Sequence, residues 1–247
     1  MEEVYNPFTL TGKTILVTGA SSGIGRGIAI ACSKMGAKVL ITGRNESRLN
    51  ETLSSLATGE HDKFVCDLTD QHEMVGMASA LPNLDGVVHC AGIGQRVLCK
   101  QLSKDDVETV MSTNFEGPVL LQTELLRQKK ISKGASIVFI ASIASFFPSV
   151  GNSIYSASKG AIISYARCLS LELAPRKIRV NCISPAMVWT DIIVQDGCDD
   201  EQLKVDEQKY PLKRYGTPED ISNLAIYMLS DASTWMTGSN VNITGGM

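Results

Sequence analysis

A chain of 247 residues with 44% hydrophobic content can bury one sizeable core and is shorter than the length at which chains usually split, so a single domain is expected. A formal net charge of −3, without a long block of like charge, argues against nucleic acid as a primary ligand. The acidic start Met1-Glu2-Glu3-Val4 has no apolar stretch of signal-peptide length, and no apolar run approaches the ~20 residues that span a bilayer, so a soluble, cytoplasmic protein without a membrane partner is expected.

In chain order, Ile15–Val17 is a short continuous apolar run of the kind a strand buried on both faces requires, and a glycine-rich turn follows it. Beyond the turn, Ile24, Ile28, Ala31, Cys32 and Met35 recur at helical spacing until Gly36. Strand, turn and helix N-terminus together aim backbone N–H groups and a positive dipole end at a place where a pyrophosphate could sit. Further strand-like runs fall at Lys38–Ile41, Lys63–Cys66, Gly86–His89, Ser136–Ala141, Arg179–Ile183 and Asn240–Ile243. Amphipathic stretches such as Asp105–Leu126, Ser153–Leu173 and Pro218–Leu229 lie between them. This alternation predicts right-handed crossovers and a Rossmann-like, doubly wound parallel sheet of about seven strands with helices on both faces. Ligands of such sheets bind beyond the carboxyl ends of the strands. The glycine turn, Asp67, Gly92, Ser142 and Pro185 all follow predicted strands, so the fold gathers them on one edge.

Seven cysteines, at 32, 66, 90, 99, 168, 182 and 198, form no Cys-x-x-Cys and no cysteine/histidine cluster of ligand spacing, so neither a disulfide framework nor a metal is expected. The most specific chemistry lies in Tyr155-Ser156-Ala157-Ser158-Lys159. On a helix, the four-residue spacing puts phenol and ammonium one above the other. A phenol titrates near ~10, and lowering it by ~3 units takes ~4 kcal/mol, which a neighbouring cation in a half-dry cleft can supply. Taken alone, a surface Tyr/Lys pair is the more common arrangement, and the other motifs decide between them.

Over nearly the whole chain, from Leu10 to Gly246, these stretches resemble the short-chain dehydrogenase/reductase family, and within it the 3-oxoacyl-acyl-carrier-protein reductase branch. Thr18-Gly19-Ala20-Ser21-Ser22-Gly23-Ile24-Gly25 is similar to the family's cofactor loop, with three residues between its first two glycines. The resemblance implies that Gly19, Ser21, Ser22, Gly23, Ile24 and Gly25 meet a dinucleotide, and that Asp67 and Leu68 reach its adenine. It implies that Cys90, Ala91 and Gly92 line the site where the family usually has Asn-Asn-Ala-Gly from position 89, and that Pro185, Val188 and Thr190 contact the nicotinamide. Asn114, Ser142, Tyr155 and Lys159 match the four catalytic positions. By that match Tyr155 exchanges the proton, Lys159 supports it and holds the nicotinamide ribose, Ser142 hydrogen-bonds the substrate oxygen, and Asn114 holds a relay water at a helix kink.

Members that prefer NAD carry an acid after the second strand, where this chain has Gly43. Without that carboxylate a 2′-phosphate meets no repulsion, and Arg44 is placed to pair with it, so NADP(H) is the expected cofactor. Three positions depart from the family pattern. His89 stands for an asparagine and puts folding stability in question more than chemistry. Ala186 replaces a glycine, and if that position needs φ > 0 the methyl costs ~1–2 kcal/mol. Thr244-Gly245-Gly246 replaces an Asp-Gly-Gly ending near a subunit contact.

The expected function is NADPH-dependent reduction of a 3-oxoacyl thioester in fatty acid biosynthesis, with acyl carrier protein as a partner. Oxidation or reduction of another small ketone, sugar or polyol is the runner-up, and a non-catalytic NADP-binding regulator is the alternative from a different class. The acidic segment 189–210 is expected to form a substrate lid. Asp105–Leu126 and Ser153–Leu173 are expected to pack against a symmetry mate in a homo-oligomer, a dimer of dimers. Lys133 and Arg176 match positions that contact the carrier in the resembling reductases and are expected to flank the site's mouth; ordinary charge at helix ends explains them as well.

Overall fold

The computed structural model describes residues 5–190 and 200–247. Its strands are β1 (Thr14–Thr18), β2 (Lys38–Gly43), β3 (Asp62–Val65), β4 (Leu84–His89), β5 (Ile131–Ile140), β6 (Arg179–Pro185) and β7 (Asn240–Ile243). They form one sheet in the order β3-β2-β1-β4-β5-β6-β7, and every pairing is parallel. The helices are α1 (Gly23–Lys34), α2 (Glu46–Ser54), α3 (Gln71–Ala80), α4 (Lys104–Met111), α5 (Gly117–Arg127), α6 (Ser153–Leu173), α7 (Asp200–Glu207) and α8 (Pro218–Leu229). This is the doubly wound α/β architecture expected from the alternation of elements.

Strand alternation explains how the two faces are covered. Ile15 and Val17 share one core with Ile28 and Ala29 of α1 and Ile221 and Ala225 of α8, while Leu16 points to the other, with Leu121 and Leu125 of α5 and Ile162 and Ala166 of α6. With both faces covered, the strands need no polar side, so they read as continuous apolar runs. Leu16 is wholly buried, and truncating such a residue to alanine costs ~2–5 kcal/mol. Helix starts are written in the sequence as caps. Thr217 and Asp220 form a reciprocal capping box at α8, with Pro218 in its first turn, and Ser103 and Asp106 do the same at α4.

The helix expected over Asp105–Leu126 is interrupted around Asn114, where the family resemblance implied a kink. α4 ends at Met111, Ser112–Glu116 make one π-turn, and α5 begins at Gly117, whose N–H bonds to the carbonyl of Ser112 five residues back. Two residues account for the wide turn. A Cβ on Gly117 would stand 3.2 Å from the carbonyls of both Leu68 and Ser112, a tight fit that glycine avoids. Pro118 has no N–H to offer the carbonyl of Asn114, its partner in a regular helix, and π-turns of this kind recur at functional sites.

Parallel strands put all carboxyl ends on one edge, which fixes where other segments must lie. The side chain of Arg176 donates to the carbonyl of Ile131 at 2.6 Å, so the basic segments around Lys133 and Arg176 do meet. They meet at the start of β5 and the end of α6, however, and from Tyr155 to Leu173 an α-helix runs about 27 Å. These cations therefore sit at the opposite edge from Ser142 and Tyr155 and do not flank the mouth of their own chain's site. Basic segments that precede a strand lie at its amino end, and sequence proximity to Ser142 concealed this.

Candidate active site

The glycine turn is packed backbone against backbone. The hydroxyl of Thr18 accepts from the N–H groups of Cys90 and Ala91, at 3.0 and 3.1 Å, which laces the end of β1 to the loop after β4. Gly19 has φ +64°, and a Cβ there would lie 2.7 Å from the Cα of Ala91. Gly25 faces the Gly19 carbonyl as closely, and a Cβ on Gly23 would meet the methyl of Thr190 at 3.1 Å. At the start of α1 the side chain of Ser22 makes no capping bond and no acidic residue stands in the first turn, whereas Asn45, Asp70, Ser103 and Thr217 cap α2, α3, α4 and α8. A side-chain-free cradle with N-terminal N–H groups left uncapped by Ser22 fits the pyrophosphate of a dinucleotide.

Around the adenosine end of that cradle, Gly43 closes β2, and a Cβ there would lie 3.3 Å from the hydroxyl oxygen of Ser21. Arg44 next to it is largely exposed, with its guanidinium 3.9 Å from the Asp67 carboxylate. Asp67 accepts from the N–H and hydroxyl of Thr69 at 2.9 and 2.8 Å. Partial burial pushes its carboxyl upward, but the two Thr69 hydrogen bonds and Arg44 outweigh it and leave the pKa below the usual range. Leu68 is buried beside it, against the turn at Gly117.

The other half of the site is built from polar side chains. Lys159 is buried, its ammonium donates to the carbonyl of Ile140 at 2.9 Å, and it lies 5.8 Å from the ring centre of Tyr155. Burial lowers its pKa to about 8, against the pull of the Cys90 and Cys182 thiols. Desolvation likewise pushes the Cys90 thiol up to about 12, against the pull of the Lys159 cation, so it is protonated at neutral pH. Ser142 starts a short turn and its oxygen accepts from the N–H of Ala144 at 3.1 Å, which leaves the hydroxyl proton to be donated elsewhere. Asn114 is buried with its amide fully engaged: Oδ1 accepts from Ile93 N–H at 2.8 Å, and Nδ2 donates to Ile93 C=O and Ser158 Oγ at 3.0 and 3.2 Å. Gly92 leaves room between these groups, since a Cβ there would stand 3.2 Å from Asn114 Oδ1 and 3.4 Å from Lys159 Nζ.

The loop after β6 faces the glycine turn. Pro185 ends the strand, Ala186 donates to the carbonyl of Ile243, and Val188 is buried where Trp189 N–H donates to Gly216 C=O and Gly216 N–H to Met187 C=O. Ala186 is absent from the positive-φ residues, so the strain expected for its methyl does not arise. Trp189, Tyr210 and Tyr215 cluster, and they pin the acidic end of α7: Trp189 donates to Glu207 at 3.1 Å and Tyr215 to Asp206 at 2.7 Å. Of the expected lid, residues 191–199, including Asp196, Cys198 and Asp199, lie outside the described residues.

The fold thus gathers the nominated residues Gly19–Gly25, Arg44, Asp67, Cys90–Gly92, Asn114, Ser142, Tyr155, Lys159 and Pro185–Thr190 along one edge. Sequence reasoning gave no role to Thr18, Ser158 or Pro118. The last carried a readable signal, a proline four residues after an asparagine inside a helical pattern. His89, in place of an asparagine, keeps one hydrogen bond, its Nε2 3.0 Å from Gln122 Oε1, and stacks on Phe139 at 4.5 Å, while its Nδ1 and the Gln122 Nε2 are buried without a partner.

Comparison with known proteins converges on this reading. A family model described as Enoyl-(Acyl carrier protein) reductase matches residues 19–247. The chain is 34% identical over 238 residues to a 3-oxoacyl-acyl-carrier-protein reductase of Rickettsia felis, covering 96% of this chain and 98% of that one. It is 31% identical to an L-xylulose reductase of Caenorhabditis elegans, covering 97% of each. Among solved structures, a variant of actinorhodin polyketide ketoreductase with NADPH superposes with a TM-score of 0.89 at 28% identity, covering 94% of this chain and 96% of that one. Fold, edge and relatives agree: the chain belongs to the short-chain dehydrogenase/reductase family, whose members are oxidoreductases acting on alcohol and ketone groups.

Proposed function

We propose that the protein is an NADPH-dependent reductase of an apolar ketone, with a 3-oxoacyl thioester as the first substrate to test. When bound, the dinucleotide supplies the hydride that the substrate's carbonyl carbon receives. Tyr155 gives its hydroxyl proton to the carbonyl oxygen, and takes it back in the oxidative direction. Ser142, its oxygen already occupied by Ala144 N–H, donates its own hydrogen to the same oxygen and stabilises the charge that develops there. Lys159, the buried cation beside the Tyr155 ring, favours the phenolate left behind and reaches the nicotinamide ribose. Asn114 holds the water through which the proton is replaced.

One observation carries the apolar substrate. No charged residue stands between Ser142 and Tyr155, and the loop that joins them presents Phe147 and Val150, 66% and 84% exposed. The Val97 N–H donates to Gly151 C=O at 2.8 Å, so this loop and the one after Gly92, with exposed Leu98, form a continuous rim. Such a rim suits an acyl chain better than a polyol, whose hydroxyls need partners. The Rickettsia relative favours the thioester form. The placement of Lys133 and Arg176 at the far edge favours a ketone that is not delivered by a carrier docked beside the same chain's site.

NADPH is preferred on the strength of Gly43 and Arg44, with no acid to repel a 2′-phosphate. Self-association rests on Leu120 of α5 and Leu171 of α6, both exposed, and on the groove lined by Leu126, Tyr165 and Cys168 between those helices. A homodimer, and a dimer of dimers, covers these faces.

Turnover of a short 3-oxoacyl thioester and of L-xylulose, each with NADPH and NADH, tests the reading. The thioester with NADPH is expected to exceed each alternative by at least ~10-fold in kcat/KM, and Arg44→Ala to remove most of the NADPH preference, ~1.4 kcal/mol. Better turnover of the sugar, or equal use of the two cofactors by the unaltered protein, overturns it.

A further inference from the structure

The Asn114 amide makes three hydrogen bonds, two to Ile93 and one to the hydroxyl of Ser158. Ile93 belongs to the loop after β4, but Ser158 belongs to α6, between Tyr155 and Lys159. The Ser158 hydroxyl is wholly buried, and its own hydrogen goes to the carbonyl of Tyr155 at 2.7 Å. A continuous path therefore runs from Tyr155 C=O through the Ser158 hydroxyl to Asn114 Nδ2 and Ile93 C=O. It ties the first turns of α6 to the π-turn at Ser112–Glu116.

At the other end of the same residue, Pro118 denies the Asn114 carbonyl its regular helical partner. A carbonyl released in this way is useful only if it points in one direction, and the side chain below it supplies that constraint. Inside a half-dry site an amide with all three bonds made has one orientation, whereas loss of one leaves a buried N–H unsatisfied and the turn free to adjust.

We infer that Ser158 is a positioning residue of the reaction: its hydroxyl holds Asn114 so that the Asn114 carbonyl faces the water path that replenishes the proton of Tyr155. The inference rests on the proton-transfer role given above to Tyr155 and Asn114. Ser158 touches neither substrate nor cofactor in this assignment and acts through Asn114 alone. Buried Ser33 and Ser170 also bond a carbonyl three residues back, and Ser158 differs from them in accepting from Asn114.

The test is a double-variant cycle on kcat with Ser158→Ala, Ser158→Thr, Asn114→Ala and the Asn114→Ala/Ser158→Ala pair. Tyr155→Phe is the control for the reading beneath it. Ser158→Ala is expected to lose about 10-fold in kcat with cofactor affinity within about twofold, and to show a larger solvent deuterium effect on kcat as proton delivery becomes limiting. Ser158→Thr, which keeps the hydroxyl, is expected to recover most of the rate. The double variant is expected to be no slower than Asn114→Ala alone, because both lesions break one path.

Additive losses, an unchanged isotope effect, or full activity in Ser158→Ala overturns the inference. So does loss of folding or of cofactor binding in Ser158→Ala, which would make the hydroxyl a structural bond. If Tyr155→Phe keeps turnover, the proton-transfer reading itself falls. If it abolishes turnover while Ser158→Ala is silent, only the role of Ser158 falls.

Discussion

The two halves of the site, which meet between β1 and β4, where the chain's winding changes direction from β2 to β5, are held by opposite means. On the glycine-turn side, Gly19, Gly23 and Gly25 bring backbone against backbone, and position comes from the absence of side chains. Across β5, Asn114, Ser142, Ser158 and Lys159 are placed by hydrogen bonds among buried polar groups, including one buried cation. The first arrangement is stabilising and fails when an atom is added. The second carries electrostatic cost, so removing a group can stabilise the chain while destroying what it does.

Adding an atom on the first side should give the largest effect. Gly19→Ala forces a methyl to 2.7 Å from the Ala91 Cα at a backbone φ of +64°. Overpacking and left-handed strain together cost roughly 3–4 kcal/mol or more. Chemical denaturation should show that loss, and dinucleotide affinity should fall with it because the loops after β1 and β4 separate. A Gly19→Ala protein of unchanged stability would mean the close approach is not what positions the turn.

A buried ionisable group on the second side gives a pH signature of comparable size. His89 is buried and neutral, and burial lowers its pKa to about 4, opposed by the Gln122 hydrogen bond. An unfolded histidine titrates near ~6.5, so between that value and about 4 the unfolded chain binds the extra proton and the folded chain does not. The stability due to a neutral His89 is thus present above ~6.5 and is lost as pH falls toward 4, by up to ~3 kcal/mol. His89→Asn retains an amide able to meet Gln122 and removes the titration. Its stability should fall less steeply than the parent's over that window, and parallel curves would refute the assignment.

Lys159 sharpens the comparison in the other direction. Its folded pKa of about 8 lies below the ordinary 10.5, so the apoprotein carries the cost of a buried ammonium at neutral pH. That cost is relieved as pH rises through the window from 8 to 10.5, where the folded chain sheds the proton first. Lys159→Met should stabilise the apoprotein at pH 7 by ~1–3 kcal/mol, with a gain that shrinks above pH 8, while turnover is abolished and cofactor binding weakens. A destabilised Lys159→Met protein would show that the Ile140 hydrogen bond outweighs the desolvation.

Much of this contrast was legible in the chain. Strand cores read correctly because a sheet covered on both faces demands unbroken apolar runs, and β1 contains Ile15–Val17 whole, whereas the polar start of β5 from Ile131, ahead of the expected Ser136, was missed. The bounds of α6 and α8 follow from helical periodicity, and in α8 from the Thr217 cap. The helical pattern of Asp105–Leu126 did not itself show the π-turn, which the resemblance implied only as a kink at Asn114, because part of its cause is the carbonyl of Leu68, which only the fold brings to Gly117. Likewise Asn114 and Ser158 are 44 residues apart, and no local pattern announces their bond. The side chains that face the substrate end could be named from strand ends; the bonds that orient them depend on long-range contacts.

The smallest effect concerns Ala186, where a glycine was expected from the family pattern. Its backbone is not in the left-handed region, its N–H donates to Ile243 C=O at 3.0 Å, and its side chain packs beside the Trp189–Tyr215 cluster. Alanine therefore carries no strain there, and it narrows the unfolded chain's freedom where glycine would widen it. Ala186→Gly should leave turnover within about twofold and lower stability by ~0.5–1 kcal/mol, mostly through the unfolded state. Urea denaturation resolves a change of that size when slopes are equal. A gain in stability would show that the loop after β6 is strained by its methyl after all, and that the backbone packing of the glycine turn extends across Thr190 into this half of the site.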